Sequence, residues 1–401
     1  MKIRAVTLGL DLPTPADPTE PLRRAASFLG GARAAFGAAG IDVQTVRVAG
    51  QALDEVCARL SVADLQAAAR GVEAAARAAG IDFLSLGRIP ANRPDVVRQA
   101  VASILAGGEL VFLSADLVDR GRPSPAMAAA CACAVKELAV ATDQGFGNLR
   151  FAATAGCPPN IPFFPAAYHA GGPPRFAVAV EAADVVLGAL RGPGGLQEIE
   201  DRLAETLEQT AGPIERVATN LSRESGYPFV GIDLSPAPFP TDAISIGAAI
   251  EAVGVDRFGA PGTLYVAALI TRAIRRTRLR RTGFSGLMLP VLEDSVLAQR
   301  TAERPAGLSE LLLYSAVCGT GLDTVPLPGD VSEAELAGVF LDVAALSVAL
   351  DGKPLTVRLM PVPGAVAGST TAFSFAYFAN TRVLPGPAGG AAGILARGGY
   401  G

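Results

Sequence analysis

Residues 110–114 read LVFLS and residues 285–292 read SGLMLPVL. Both runs are apolar almost without a break, and both are short. A strand wetted on one side alternates apolar and polar residues, whereas a run without a polar phase suits a strand covered on both faces. Working outward from the first run, residues 93–106 and 124–141 are rich in Ala and repeat apolar residues at three and four, which predicts a helix on either side of a buried strand. The alternation extends along the chain. Further helices are predicted at about 21–39, 51–79, 182–190, 196–219, 242–253, 262–278 and 332–349. Further strands are predicted at 42–48, 83–87, 151–155, 176–180, 228–233, 312–317, 355–360 and 373–378. Strands separated by helices imply an α/β fold with a mostly parallel sheet. About ten strands is many for one open sheet, so closure into a barrel is the expectation. RGPGG at 191–195 is the best internal punctuation and no composition break marks a linker. Residues 1–384 are therefore expected to form one domain, followed by a Gly-rich tail at 385–401.

The 401 residues are 50% hydrophobic and 18% charged, with a mean hydropathy of +0.37. Such a chain has ample apolar surface to offset the entropy of folding, which excludes intrinsic disorder. A net charge of −4 gives no overall attraction to nucleic acid or anionic membrane, and neither partner is expected. Two uncharged stretches, 151–174 and 359–381, are long enough to span a bilayer. The first holds six prolines and His169, and the second is broken by Pro, Gly and hydroxyl residues, so strands with tight turns are the better reading. The basic start is followed by too short an apolar run for a secretory signal. Five cysteines (Cys57, Cys131, Cys133, Cys157, Cys318) without a CxxC pair fit a reducing, cytoplasmic setting. One histidine rules out any site with two His ligands from one chain, and with it HExxH. The phosphate-cradling GxxxxGK[ST], the GxSxG elbow and a complete GxGxxG are absent, against P-loop hydrolysis and α/β-hydrolase chemistry.

Candidate chemistry falls in five segments. GCPPNIPFFPAAYHAG, 156–171, carries Cys157, Asn160, Tyr168 and His169 on a proline-stiffened loop, where Tyr168 and His169 could move protons; the alternative is a packed loop whose imidazole satisfies a carbonyl. YSAVCGTGLDTVPLPGD, 314–330, sets Cys318 before a glycine turn, where a thiol could act as nucleophile, and Asp323 could orient substrate or bind a cation; a buried, inert Cys is the alternative. Asp233 closes FVGID, Asp242 follows nine residues on, and Glu293 and Asp294 end SGLMLPVLED. Carboxylates at strand ends can bind a divalent ion or shuttle protons, making Asp233, Glu293 and Asp323 the candidate metal ligands. A carboxylate at a strand end is also what helix N-capping looks like: Asp242 reads better as a helix N-cap, and for Asp233 and Glu293 the two readings stand even. ITRAIRRTRLRRT, 270–282, could hold phosphate or simply be the solvated end of a helix. Arg358 lies in a buried-looking strand and needs an anion, either a structural carboxylate or a substrate.

CPPNIPFFPAAYH, GIDLSPAPFPTDAIS, GFSGLMLPVLED, YSAVCGTGLDTVPLPGD and KPLTVRLMPVPG resemble the sequence blocks of uncharacterised protein family 0210, also known as domain of unknown function 711. The resemblance runs from residue 1 to about 384. It implies a barrel of the pyruvate formate-lyase type, about ten strands in two parallel half-sheets with helices outside. In glycyl radical enzymes a cysteine loop enters such a barrel to meet a radical glycine, and Arg397-Gly398-Gly399-Tyr400 partly echoes that signature, one residue short. Shared fold alone does not carry radical chemistry over.

Three functions follow as expectations. The first is an enzyme acting on a small polar or anionic metabolite inside the barrel, with Cys318, His169, Cys157 and Tyr168 catalytic and Asp233, Glu293, Asp323, Arg358 and Asn160 binding substrate. Its cofactor is open, with a divalent metal as one possibility. The second is a non-catalytic sensor using the same pocket, and the third an assembly scaffold. A homodimer is expected in each case.

Overall fold

A computed structural model of the chain describes residues 1–12, 17–303 and 307–398, with the side chain of Glu55 left out. Nine strands form one sheet: β1 (Lys2–Gly9), β2 (Val43–Ala49), β3 (Phe83–Ile89), β4 (Val111–Asp116), β5 (Phe151–Ala155), β6 (Arg175–Glu181), β7 (Phe229–Ala237), β8 (Gly321–Pro328) and β9 (Leu355–Val362). Their order is β8–β9–β5–β4–β3–β2–β1–β6–β7. β1 to β5 run parallel to one another. β6 pairs parallel with β7 and β8 with β9, and each of these pairs joins the centre antiparallel, through β1–β6 and β5–β9.

Parallel neighbours need a crossover, and here each crossover among β1 to β5 contains a long helix: Thr19–Ala38, Val62–Ala78, Pro94–Ala106 and Pro125–Ala141. The first buries Leu22, Ala25, Leu29, Ala32 and Phe36, one stripe at spacings of three and four. Ser61, Ser124 and Ser332 each accept a bond from the backbone N–H three residues on, which fixes where three of the helices start. The helix Leu196–Ser225 ends at Gly226, whose φ of 74° supplies a left-handed cap. Every residue of β5, β8 and β9 is buried, as strands covered on both faces require.

Several expectations need correcting. The ladder of hydrogen bonds does not close into a barrel; β7 and β8 are the outer strands of an open sheet. Residues 286–292 form no ladder strand, because the backbone upstream takes positive φ at Gly283 (64°) and Ser285 (38°) and kinks. The longer stretch 281–290 still touches both outer strands, through isolated parallel bridges Ile232–Arg281 ahead of the kink and Pro290–Asp323 after it. Residues 312–317 fall mostly in the helix Leu308–Ser315, whose first turn is held by Glu310 accepting from Gly307 N–H at 3.0 Å; a short apolar run does not separate buried helix from strand. Residues 373–378 have no regular structure, since Asn380 satisfies Thr371 and Phe373 by side-chain bonds that replace a ladder. The helix expected at 51–79 splits into Asp54–Arg59 and Val62–Ala78 where Ser61 caps the second. β1 and β8 were not anticipated.

Among the described residues no helix is long and apolar enough to cross a membrane. The tail packs back on the molecule: Ala391 N–H donates to Ala334 O at 2.9 Å, ahead of a short helix, Ala392–Leu395. Gly399 and Tyr400 of the radical-signature echo lie outside the described residues.

Candidate functional site

One cavity of about 440 Å³ is walled by side chains of β1 to β4, β6, β7 and β9 together with the loops around Phe163, Glu293 and Tyr377. Strands from both flanks of the sheet reach it, so the sheet is strongly curled around this space. Strand alternation selects the wall: Thr45 and Arg47 face the cavity while Val46 and Val48 pack in the core, and Asp233, Ser235 and Ala237 repeat the phase on β7.

Four arginines lie in the polar part of the wall: Arg4, Arg47, Arg358 and Arg150, the last donating from Nη2 to Leu105 O at 2.6 Å with a buried Nη1 that has no partner among the described residues. Arg358, 5% exposed, donates from Nη2 to Glu293 at 2.9 Å and from Nε to Asp323, with Leu149 O at 3.4 Å from Nη1. Arg4 donates to the other oxygen of Glu293 at 2.6 Å. Glu293 therefore lies between two guanidinium groups, and Arg358 between two carboxylates. Burial pulls the Arg358 pKa down, but the two carboxylates outweigh it and hold it above the ordinary value. The second oxygen of Asp323 is buried and has no hydrogen-bond partner among the described residues.

Arg47 differs. Its guanidinium lies over the rings of Phe83 and Phe164, at 5.3 and 5.2 Å from the ring centres, and Nε donates to Thr45 Oγ1 at 2.9 Å. It forms no ion pair among the described residues. Burial first, and the neighbouring Arg4 charge second, press its pKa down to about 9, so it stays protonated at neutral pH in a place that disfavours its charge. The remaining wall is largely aromatic, with Phe112, Phe146, Phe163 and Phe375.

The residues singled out in the sequence divide into two groups. Asp233, Glu293 and Arg358 reach the cavity, with Asp323 one bond behind. Asp233, however, is engaged: it accepts from Ser235 N–H and Oγ–H, Ser285 N–H and Phe284 N–H at 2.6 to 3.1 Å, pinning residues 284–285 to β7. Burial raises its pKa against those donors. Cys318, Cys157, Tyr168, His169 and Asn160 are not part of this cavity's wall. His169 is fully buried, with Nδ1 3.1 Å from Asn160 Oδ1 and Nε2 3.2 Å from Gly172 O, against Gly9 at the far end of β1. Burial lowers its pKa. Tyr168 donates to Cys157 O at 3.2 Å, and the Cys157 thiol donates to Leu355 O at 3.4 Å; burial raises the Cys157 pKa, away from the reactive thiolate. Cys318 is fully buried, its sulfur accepting from Gly321 N–H at 3.4 Å.

Among the described residues no cluster of three or more His, Cys, Asp or Glu side chains could hold a metal ion. The expected set of Asp233, Glu293 and Asp323 fails as one because Arg358 occupies the space between Glu293 and Asp323, and Asp233 spends its oxygens on backbone donors. Asp242 is not the cap of the following helix. Ser245 caps Ile246–Ala252, helped by Asp294, which accepts from Ile246 N–H at 2.6 Å and also from Leu297 N–H at 3.0 Å in the next helix. The arginine run is matched by acidic residues of the helix Leu196–Ser225: Arg272 and Arg276 with Glu200, Arg276 with Asp201, and Arg278 with Glu208. Arg4 and Arg47 were missed. The signal was available: a charged residue mid-strand in VQTVRVA or KIRAVTLG, where both sheet faces are covered, must face an enclosed polar space.

Fold and cavity together define a curled α/β protein with an arginine-bearing interior. The chain belongs to the family described as Uncharacterised ACR (DUF711), which it matches over residues 1–374. It is similar to the UPF0210 proteins of Pyrobaculum aerophilum (41% identical over 230 residues, 55% of this chain and 50% of that protein) and Desulforudis audaxviator (33% over 283 residues, 66% and 60%). A wider match links it to the UPF0210 protein of Desulfovibrio desulfuricans, 27% identical over 394 residues, 90% of this chain and 83% of that one. The aligned region spans about half the length of the Pyrobaculum relatives.

Proposed function

We propose that the chain binds a small anionic metabolite in the cavity. The single observation that carries this is Arg47, a guanidinium lying over two phenyl rings at the cavity, with no carboxylate of the described residues within ion-pair distance. A half-buried charge with no ion pair is disfavoured, and an anionic ligand offsets that cost. The volume is in the ordinary range of small-molecule sites. Two roles use that binding. As an enzyme, the protein would have to rely on groups at the wall, Glu293 and Tyr377, because the thiols and His169 stand elsewhere. As a sensor it would need only the binding. That Glu293 is already held by two guanidinium groups favours the sensor. Thermal-shift screening with anionic metabolites, followed by mass analysis of the recovered ligand, tests both: stabilisation without conversion supports the sensor, conversion supports the enzyme, and no stabilisation by any anion refutes the binding site.

Residues 280–291 bridge β7 and β8 in parallel fashion, which supports a ten-strand barrel of two parallel five-strand halves, pyruvate formate-lyase-like, closed by a kinked strand. Gly231 and the Gly286–Gly319 pair support it: an added Cβ would come within 2.7 Å of Arg280 O at Gly231, and within 2.8 Å of Gly319 at Gly286. Only glycine permits so close an approach. One domain for residues 1–384 is part of the same reading. A cytoplasmic location is supported by five free, buried cysteines. The homodimer remains a proposal that light scattering on the purified protein tests.

A further inference from the structure

We infer that the cavity selects a carboxylate carried on an apolar or aromatic body, and that Arg47 is the residue that anchors it. This rests on the cavity being a binding site for a small anion, and sharpens it to a chemical class. The guanidinium of Arg47 is oriented from two sides. The Thr45 hydroxyl donates to Arg4 O at 2.7 Å, which turns an oxygen lone pair toward Arg47 Nε at 2.9 Å. The rings of Phe83 and Phe164 fix the position of the group. With Nε committed, Nη1 and Nη2 donate to no acceptor among the described residues. Two parallel N–H groups in a rigid fork match the two oxygens of a planar carboxylate.

The other guanidinium groups of the wall are matched or stand apart from Arg47: Arg150 donates from Nη2 to Leu105 O at 2.6 Å, its Nη1 is buried without a partner among the described residues, and it is not among the charges that act on Arg47. Arg4 and Arg358 share Glu293, and Arg358 also holds Asp323. A doubly charged phosphate would need a second uncommitted cation beside Arg47, and Arg4, the cation whose charge acts on Arg47, is spent on Glu293. One singly charged planar head group is what Arg47 itself can neutralise. The apolar part of the wall, Phe112, Phe146, Phe163, Phe375, Leu149 and Met288, gains by covering an apolar body and loses by facing a second charge. A small polar anion such as acetate would satisfy Arg47 and leave these surfaces uncovered.

The experiment uses the purified full chain in calorimetry and thermal-shift assays with 3-phenylpropionate, phenylphosphonate, acetate and benzylamine. The expected order is 3-phenylpropionate tightest, acetate weaker by about tenfold or more, and phenylphosphonate no tighter than the carboxylate. Arg47→Met should weaken 3-phenylpropionate by about tenfold or more, with Arg47→Lys between the two because the point charge remains but the fork is gone. Should Arg47→Met fail to fold, Thr45→Val serves instead: it releases Nε and should weaken the same probe. Phe112→Trp, which fills the wall, reports whether the probe occupies the cavity at all. Undiminished binding by Arg47→Met, with binding lost in Phe112→Trp, overturns the anchor while leaving the cavity as the site. Preference for phenylphosphonate overturns the ligand class but keeps an anion site. Binding of benzylamine alone, or of no probe, overturns this inference and the anion-binding reading together.

Discussion

The ion cluster at Arg358 gives the sharpest stability prediction. In Arg358→Met the apolar volume is largely kept while a guanidinium 6% exposed is removed from between carboxylates exposed by 5% and 0%. Glu293 retains Arg4. Asp323 does not recover: one of its oxygens bonds only Arg358 and the other has no partner among the described residues. Breaking a buried pair so that one charge stands alone costs about 3–5 kcal/mol, and here nearly all of it should fall on Asp323. Replacing both partners by apolar residues of similar size is often close to neutral. The double variant Arg358→Met/Asp323→Leu should therefore recover most of the loss, with a coupling on the order of 2–3 kcal/mol. Urea unfolding followed by far-ultraviolet circular dichroism measures this; the chain has no Trp to report by fluorescence. A loss under about 1 kcal/mol for Arg358→Met, the size of an exposed pair, or strictly additive single variants, would refute the reasoning.

Other predictions follow from the same structure. His169 is the single histidine, and burial sets its folded pKa below the unfolded value of about 6.5, so the unfolded chain takes up the proton first and stability is lost as pH falls through that region. One imidazole resonance in an NMR titration checks it, and a midpoint above 6.5 would contradict it. Gly231→Ala should destabilise by about 1–3 kcal/mol, since φ there is 149° and the new Cβ would meet Arg280 O; an unchanged urea midpoint would count against the close approach at β7. All five thiols are buried, so a native sample should react with almost none in a thiol-titration assay and release five in denaturant. A native thiol reacting within seconds would restore the case for a cysteine nucleophile. Arg47→Met should melt higher than the parent protein in the absence of ligand, because it removes an unpaired charge from the cavity wall; a lower melting temperature means that Arg47 is paid for by contacts inside the chain.

The α/β layout was legible because buried parallel strands and amphipathic helices leave different periods. LVFLS became the heart of β4 and its flanking helices fell within a residue or two of expectation. β8 was illegible because Asp323, Pro326 and Pro328 break its apolar run, and their compatibility with a buried outer strand depends on Arg358 and on the neighbouring segment. The kinked run 286–292 shows the opposite failure: its composition is that of a strand, but positive φ at Gly283 and Ser285 is invisible to composition. In the site, Arg358 and Glu293 were recoverable from the cost of burying charge. Cys318 and His169 were attractive for their chemistry, yet exposure decides reactivity, and exposure is set by packing between distant segments that local sequence does not encode.

The most direct test of the cavity as an anion site is a crystal structure of the full chain soaked with 4-bromobenzoate, with data collected at the bromine edge. The account predicts one anomalous peak inside the cavity near Phe112 and Phe146, with the carboxylate in hydrogen-bond contact with Arg47. An empty cavity, with bromine only at the surface arginines Arg272 to Arg278, would contradict it.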